Sequence, residues 1–332
     1  MRALILAGGY GTRLRPLTFT RPKHMLPIAN RPHIDHVLEL LRKHGIHEVV
    51  MLTSYLAEAF REVLDAAEAA GMAVRTTFEK EPLGTAGAIK FAQDFVGEET
   101  FVVFNGDILT DVDLGEVIRF HRDRRAEATI ALYPVDDPSI YGVVPTDEEG
   151  RVLGFVEKPP REKAPTNLIN AGIYVFEPSV LNRIEPGKPW SAERQLFPDL
   201  VAQKAEFFAT AIEAYWMDIG TPEKFLQANL DALSGRYLSD IQPDRDGVLA
   251  ADDSFVHPSA RVSDTCLGAD ARIEKEASVA ESVLLPEAVV EGGATVKRSI
   301  LGLGARVGGG VPAVEQTLAD GDKLFFGAIE DS

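Results

Sequence analysis

The 332-residue chain carries 34 basic and 51 acidic side chains, a formal net charge of −17 at pH 7. That balance excludes nucleic acid or an anionic membrane surface as the main partner, and an anionic substrate must be drawn in by a local cluster of cations. The single cysteine, Cys266, excludes an internal disulfide framework. With no signal-like leader and no apolar run near the roughly 18 residues that span a bilayer, the expectation is a cytoplasmic protein.

Ala3 to Ala7 is a short apolar run of the kind a parallel sheet buries at its centre. Gly8, Gly9 and Gly11 follow at once. They let the backbone turn sharply and bring its N–H groups close to a ligand with no Cβ in the way. Arg13, Arg15, Arg21 and Lys23 come next. A glycine loop at a strand end followed by clustered cations suits a polyanion such as a nucleoside triphosphate. No Gly-Lys-Ser/Thr closes the loop, so it is not a P-loop, and Leu14 stands where the dinucleotide fingerprint needs its third glycine.

Ile34, Val37, Leu38 and Leu41 then mark an amphipathic helix that stops near Gly45. Strands are predicted at Glu48–Thr53, Val74–Phe78 and Phe101–Phe104. Helices are predicted around Ala59–Ala67 and from about Thr85 to Gln93. This alternation implies βαβ units and a mostly parallel sheet, whose ligands bind beyond the carboxyl ends of the strands. The glycine loop and Asn105-Gly106-Asp107 both fall at such ends. Past residue 125 the pattern is strand-rich (Thr129–Pro134, Gly142–Pro145, Val152–Val156, Ile173–Phe176, Phe207–Ile212), as an insertion of antiparallel strands at the sheet edge would be. Thr221-Pro222 is an N-cap and N1 pair opening a helix to about Ser234. Residues 1–235 are read as one domain, 236–255 as a linker and 256–332 as a repeat domain with a C-terminal cap around Leu324-Phe325-Phe326.

The repeat has a period of 17 across 257–307 without gaps. Its columns are Val262/Val279/Val296, Leu267/Leu284/Leu301, Ile273/Val290/Val307, Ala260/Ala277/Ala294 and Ala271/Ala288/Ala305. Apolar positions 5, 6 and 6 apart describe a three-sided coil of short strands, and stacking buries columns that no single coil could bury alone.

Two carboxylates, Asp107 and Asp218, each end a predicted strand. Beside a triphosphate, such a pair suits Mg²⁺, which takes one or two carboxylates plus phosphate oxygens. Taken singly, each also fits a loop cap. The seven histidines have no metal-ligand spacing and are read as solvated or locally hydrogen-bonded.

The stretch Gly8-Gly9-Tyr10-Gly11-Thr12-Arg13-Leu14-Arg15-Pro16-Leu17-Thr18, followed by Pro22-Lys23-His24-Met25-Leu26-Pro27, resembles the signature of the sugar-1-phosphate nucleotidyltransferases. The resemblance extends over essentially the whole chain. It implies a Rossmann-like, mostly parallel α/β nucleotidyltransferase domain followed by a short left-handed β-helix of hexapeptide-type repeats. By the same resemblance Leu6, Ala7, Gly8, Gly9, Gly11, Thr12, Arg13, Pro82, Gly84 and Thr85 bind the nucleotide. Gly142, Glu157, Lys158, Asn170 and Gly172 hold the sugar phosphate. Arg13 would hold the departing pyrophosphate, Lys23 would touch the phosphates at the reacting centre, and Asp107 and Asp218 would bind Mg²⁺. The implied substrates are a nucleoside triphosphate and a sugar 1-phosphate. Wording such as Pro82-to-Ala88 and Asp218-Ile-Gly-Thr-Pro222 favours GTP and mannose 1-phosphate. Lys23-to-Asn30 reads more like members that join thymidylyl or uridylyl groups to glucose 1-phosphate, which stays the alternative. A non-catalytic homologue would lose the charged residues that are present here. The coils are expected to mediate self-association into a homo-oligomer.

Overall fold

In the computed structural model, which describes residues 1–53, 56–79, 81–237, 241–325 and 328–330, the chain divides into two compact units. Met1–Gly9 and Val37–Trp216 make the first; Tyr10–His36 and Met217–Ser332 make the second.

The first unit is built on a mixed sheet ordered Val156–Glu157, Gly142–Val143, Leu168–Phe176, Phe101–Asn105, Arg2–Leu6, Glu48–Thr53, Ala73–Phe78. Arg2–Leu6 lies at the middle of its parallel part, paired with Glu48–Leu52 on one side and Phe101–Asn105 on the other. Ala3, Leu4, Ile5, Val102, Val103 and Phe104 are all fully buried, so both faces of these strands are covered. That is why they read as unbroken apolar runs and not as alternating ones. The strand-rich stretch extends the edge of the parallel strands, as its pattern predicts, with one parallel pair added. Leu168–Phe176 runs antiparallel to both Phe101–Asn105 and Ala128–Pro134, inside the sheet, and Phe207–Ala211 is parallel to Ala128–Pro134. Aromatic rings fill the core beneath: Tyr174 stacks on Phe176 with centroids 5.5 Å apart, and Phe197 meets Tyr174 and Phe207, each at 5.5 Å.

In the second unit, three parallel sheets wind as a coil, the arrangement of a hexapeptide left-handed β-helix. Every parallel pairing in it joins residues 17 apart, from Val248↔Thr265 to Val307↔Leu324, and an antiparallel pair, Lys323–Phe325 with Ala328–Glu330, follows the last coil. The winding starts inside the stretch read as a linker, since Val248–Ala250 is already the first strand of one sheet. It continues past the three blocks visible in the sequence, to Lys323–Phe325. Phe326 lies outside the described residues. The predicted apolar columns are buried, with Leu267, Leu284, Leu301 and Leu318 at 0–1% exposure. Each such leucine contributes about 1.5–3 kcal/mol.

The coil's corners were not legible in the pattern. One column, Asp264, Glu281, Arg298 and Glu315, takes the left-handed backbone conformation without glycine. Inside this corner Ser299 donates its N–H to Ser282 Oγ and Gln316 donates to Ser299 Oγ, each at 3.1 Å. The buried hydroxyls thus accept from the next coil, and no polar group is stranded there. Among the described residues no helix is long and apolar enough to cross a membrane.

Candidate active site

The first unit carries Leu6 to Gly9, Asp107 and the proposed sugar side. Ala7 donates its N–H to Leu52 O at 2.9 Å and Gly106 donates to Leu6 O at 3.0 Å, so sheet pairing runs to the point where the glycine loop leaves. Asn105-Gly106-Asp107 leaves the neighbouring strand end at the same level. Gly172 fits against this turn. Its φ is +73°, and a Cβ there would stand 2.7 Å from Asn105 Nδ2. The register of Leu168–Phe176 shifts between Asn170 and Tyr174. In that irregularity Gly172 donates its N–H to Asn170 Oδ1 (2.9 Å), Asn170 Nδ2 donates to the Tyr174 hydroxyl (2.8 Å), and Trp216 Nε1 donates to Ala171 O (2.8 Å). Such breaks in a ladder re-aim side chains. Burial pushes the Tyr174 phenol well above its usual pKa, so it stays a neutral partner for Asn170. Asn105 Oδ1 is buried without a hydrogen-bond partner among the described residues.

Gly142 is also required by packing, because a Cβ would meet the Phe155 ring at 2.3 Å and Glu157 Oε2 at 3.1 Å. Glu157 and Lys158 form a partly exposed ion pair at 3.6 Å, and Lys158 adopts a positive φ while donating its N–H to Tyr141 O.

Pro82–Ala88 opens a helix, Gly84–Phe91, whose first turn is already engaged. Trp190 O accepts from Ala86 and Gly87 at 2.9 and 3.0 Å, and a Cβ on Gly84 would stand 2.9 Å from that same oxygen. These glycines therefore serve close packing of the 188–190 backbone, whatever else the segment binds. Beside them lies a residue the sequence did not single out. Glu79, at the end of Ala73–Phe78, is 7% exposed and accepts from the Leu83 N–H at 3.3 Å. Burial raises its carboxyl pKa. An acidic residue between a strand and a proline carries no pattern of its own, so only the fold exposes it.

The second unit carries the rest of the signature. Gly11, at φ +61°, turns so tightly that a Cβ would stand 3.2 Å from Lys23 Cβ and Thr18 Cγ2, and Thr18 Oγ1 donates to Gly11 O at 2.8 Å. The loop from Thr12 to Lys23 thus closes on itself around buried Leu14 and Leu17. Its four cations are not equivalent. Arg15 lies over the Phe19 ring at 5.1 Å and Arg21 pairs with Asp320. Arg13 lies by Asp218: a Cβ on Gly220 would stand 2.6 Å from Asp218 Oδ1 and 3.1 Å from Arg13 Nη2. Asp218 Oδ2 accepts from Lys224 Nζ at 3.1 Å, whereas Oδ1 is buried without a hydrogen-bond partner among the described residues. Thr221 caps the helix Pro222–Leu233 as its sequence predicts, accepting from the Lys224 N–H, and this cap sets Lys224 one turn from Asp218. Gly220 and Lys224 add to the site. Their signal was their spacing from Asp218 and the cap.

Four of the histidines, His24, His33, His36 and His121, are at most 3% exposed, and His36 and His121 are held by hydrogen bonds to Ile28 O and Thr129 Oγ1, the locally bonded half of the reading. Cys266 is buried, which lifts its thiol pKa to about 12 and makes it a packed, unreactive residue.

An α/β sheet with a glycine loop at the end of its central strand, joined in one chain to a hexapeptide coil, defines a nucleotide-handling enzyme class. The family model described as nucleotidyl transferase matches residues 2–235, and a GlmU-like C-terminal hexapeptide model matches 246–326. A mannose-1-phosphate guanylyltransferase of Mycobacterium tuberculosis is 40% identical over 274 residues, 82% of this chain and 76% of that relative. The mannose-1-phosphate guanylyltransferase catalytic subunit beta of Drosophila melanogaster is also 40% identical, over 80% of this chain and 72% of the relative. Among solved structures, HddC from Yersinia pseudotuberculosis complexed with GMP-PN superposes with a TM-score of 0.60 at 31% identity, over 69% of this chain and 97% of that one. A putative glucose-1-phosphate thymidylyltransferase from Bacillus anthracis gives 0.62 at 25% identity, over 69% and 94%. The chain belongs to the nucleotidyl transferase family, as a sugar-1-phosphate nucleotidyltransferase.

Proposed function

We propose that the enzyme joins GTP to mannose 1-phosphate, giving GDP-mannose and pyrophosphate. The observation that carries this is the 40% identity, over about four fifths of the chain, to relatives named mannose-1-phosphate guanylyltransferase. Glu79 adds a chemical reason. A carboxylate can accept from both N1–H and the 2-amino group of guanine, a donor pair that thymine and uracil lack. The thymidylyltransferase alternative rests on the more distant 25% likeness.

In this reading the sugar phosphate oxygen, already ionised at neutral pH, attacks the α-phosphorus in line, the bond to the β-phosphate oxygen breaks, and pyrophosphate leaves. Such a transfer asks the protein for position and charge neutralisation more than for covalent chemistry. Arg13 neutralises the departing pyrophosphate. Lys23 lies against the phosphates at the reacting centre. Glu157 and Asn170 hold sugar hydroxyls and Lys158 the sugar phosphate, while Leu6, Ala7, Gly8, Gly9, Gly11 and Thr12 bind along the triphosphate and Pro82, Gly84 and Thr85 along the base and ribose. Asp107 and Asp218 would hold Mg²⁺. The buried Asp218 Oδ1, with no hydrogen-bond donor of its own, fits a hard cation in this role. When bound, the ion supplies charge neutralisation at the phosphate oxygens. Stacked coils offer faces for self-association, which supports a homo-oligomer; against a net charge of −17, local cations gather the small anionic substrates, in the cytoplasm.

Pyrophosphate release measured with five nucleotides against mannose and glucose 1-phosphates tests the substrate pair. GTP with mannose 1-phosphate is expected to lead by about tenfold or more in kcat/KM. Fastest turnover of dTTP or UTP with glucose 1-phosphate overturns the assignment. Glu79→Gln is expected to reduce kcat/KM for GTP about tenfold, with the KM for the sugar phosphate unchanged.

A further inference from the structure

Within the second unit, the signature segment is tied to the coil at two widely separated levels. At its C-terminal end Pro27–Ile28 and Arg31–Pro32 form a hairpin whose turn residues, Ala29 and Asn30, both have positive φ. Asn30 Nδ2 donates to Leu249 O (3.1 Å) and Leu267 O (2.9 Å), in the first two coils. Asn229, fully buried on the helix Pro222–Leu233, accepts from the Ala29 N–H at 2.8 Å and donates to Pro27 O at 3.3 Å. At the other end the contact comes from the last coils. Asp320 Oδ2 accepts from Thr20 Oγ1 at 2.5 Å and from Arg21 Nη2 at 2.7 Å. Its second oxygen, Oδ1, accepts from the Leu303 N–H at 2.8 Å, so the coil itself orients the carboxylate. The Arg21–Asp320 pair is 19% and 13% exposed, partly withdrawn from water and salt, where ion pairs are least screened.

We propose that Asp320 is a positioning residue for the nucleotidyl transfer: from the coil, it fixes the backbone that delivers Lys23 to the triphosphate. Three features carry this. Thr20 and Arg21 lie three and two residues before Lys23, in a loop that leaves no room for a side chain on Gly11 between Thr18 and Lys23, so a shift at Arg21 is passed on to Lys23. The carboxylate is held in place before it meets the loop. It also pairs with Arg21, so that this cation of the signature is held by the coil. The coil is then part of the machinery that shapes the nucleotide side, in addition to any role in assembly. This inference rests on the reading of Arg13 to Lys23 as the triphosphate side.

The test is steady-state kinetics on the full-length chain, with KM for GTP and for mannose 1-phosphate determined separately and GTP affinity read with a fluorescent analogue. Asp320→Ala is expected to raise the KM and Kd for GTP about tenfold while the KM for the sugar phosphate stays within about twofold. Asp320→Asn, which keeps the shape and loses the charge, is expected to fall between. Arg21→Ala should reproduce the effect from the loop side, and the double variant should be no worse than either single one, because both remove the same contact. Glu291→Ala removes a comparable coil ion pair, Arg306–Glu291 at 3.0 Å, and reads purely structural loss: a lower melting temperature with both KM values unchanged. Folded Asp320→Ala with wild-type GTP parameters, or with both KM values raised equally, overturns the proposal; if that variant does not fold, Asp320→Asn and Arg21→Ala decide by the same criterion. Wild-type turnover of a different nucleotide and sugar corrects the substrates alone, and the split between nucleotide and sugar KM is then read on that pair.

Discussion

The strand Arg2–Leu6 takes its neighbours from residues 48–52 and 101–105, whereas Val283–Leu284 in the coil takes both of its own from 17 residues before and 17 after. In the sheet, a position is specified by distant and dissimilar segments, so a change such as a side chain on Gly172 strikes one unique partner, Asn105. In the coil, the same contact recurs at every level, and a lost side chain leaves a gap between two near-identical neighbours. The sheet concentrates chemistry at unrepeatable places, while the coil spreads stability over equivalent ones. One consequence is that substitutions in the first should fall mainly on turnover and those in the second mainly on melting.

The sharpest way to break that contrast is at the carboxylates. Asp107→Asn keeps the volume of the side chain and, on the proposed metal role, is expected to lower kcat by about 10³-fold or more with an unchanged circular dichroism spectrum, since it removes the charge that would hold the ion. Retained activity would exclude Asp107 from the metal site. Next comes Gly172→Ala. A residue forced into positive φ against Asn105 costs about 1–3 kcal/mol, and the displaced turn should also reduce kcat. A loss of stability without a kinetic effect would mean that the Asn105 turn lies outside the site. Leu284→Ala, in the coil, is expected to cost about 2–5 kcal/mol through the cavity left between Leu267 and Leu301, with the KM values of the folded enzyme unchanged.

The smallest effect is one of pH. His121 is buried, with Nδ1 at 2.8 Å from Thr129 Oγ1 and Nε2 at 3.1 Å from Glu177. Burial holds its pKa below the ordinary imidazole range, partly opposed by Glu177. The unfolded chain therefore takes up this proton first as pH falls. The stability that neutral His121 contributes is fully present above a pH of about 6.5 and declines below it toward the lowered folded value. Urea midpoints between pH 7.5 and 5.5 should fall less steeply in His121→Gln than in the wild type.

The coil was the most legible part of the sequence, because its columns are a repeated solution to one packing problem and the period alone locates every strand. Even so, the blocks at its two ends escaped: Ala250 and Leu318 occupy the Leu267 column with flanking residues that no longer match. The parallel half of the sheet was legible from apolar runs. The antiparallel strands were expected at the edge of the parallel ones, where they lie, but nothing local in Ile173–Phe176 says that it pairs with Phe101–Phe104. The signature residues came from wording, but their neighbours did not. Glu79, Asn105 and Asp320 are ordinary acidic or amide residues in sequence, and only the fold singles them out, by burying Glu79, setting Asn105 against Gly172 and pairing Asp320 with Arg21.

The uniform offset of 17 has a last consequence, for how this array can change length. Removing one whole turn, such as residues 274–290, would leave every column in register, which is how repeat arrays ordinarily shrink or grow. Here the segment from Arg21 to Asn30 is fastened near both ends of the stack, to Asp320 and to Leu267, whose column reaches Leu318 in three steps. Deleting a turn would bring those two fastenings closer by one strand spacing, about 4.8 Å, and leave the segment too long for its span. The signature segment thus acts as a gauge on the array, and the number of turns becomes a property that this segment selects.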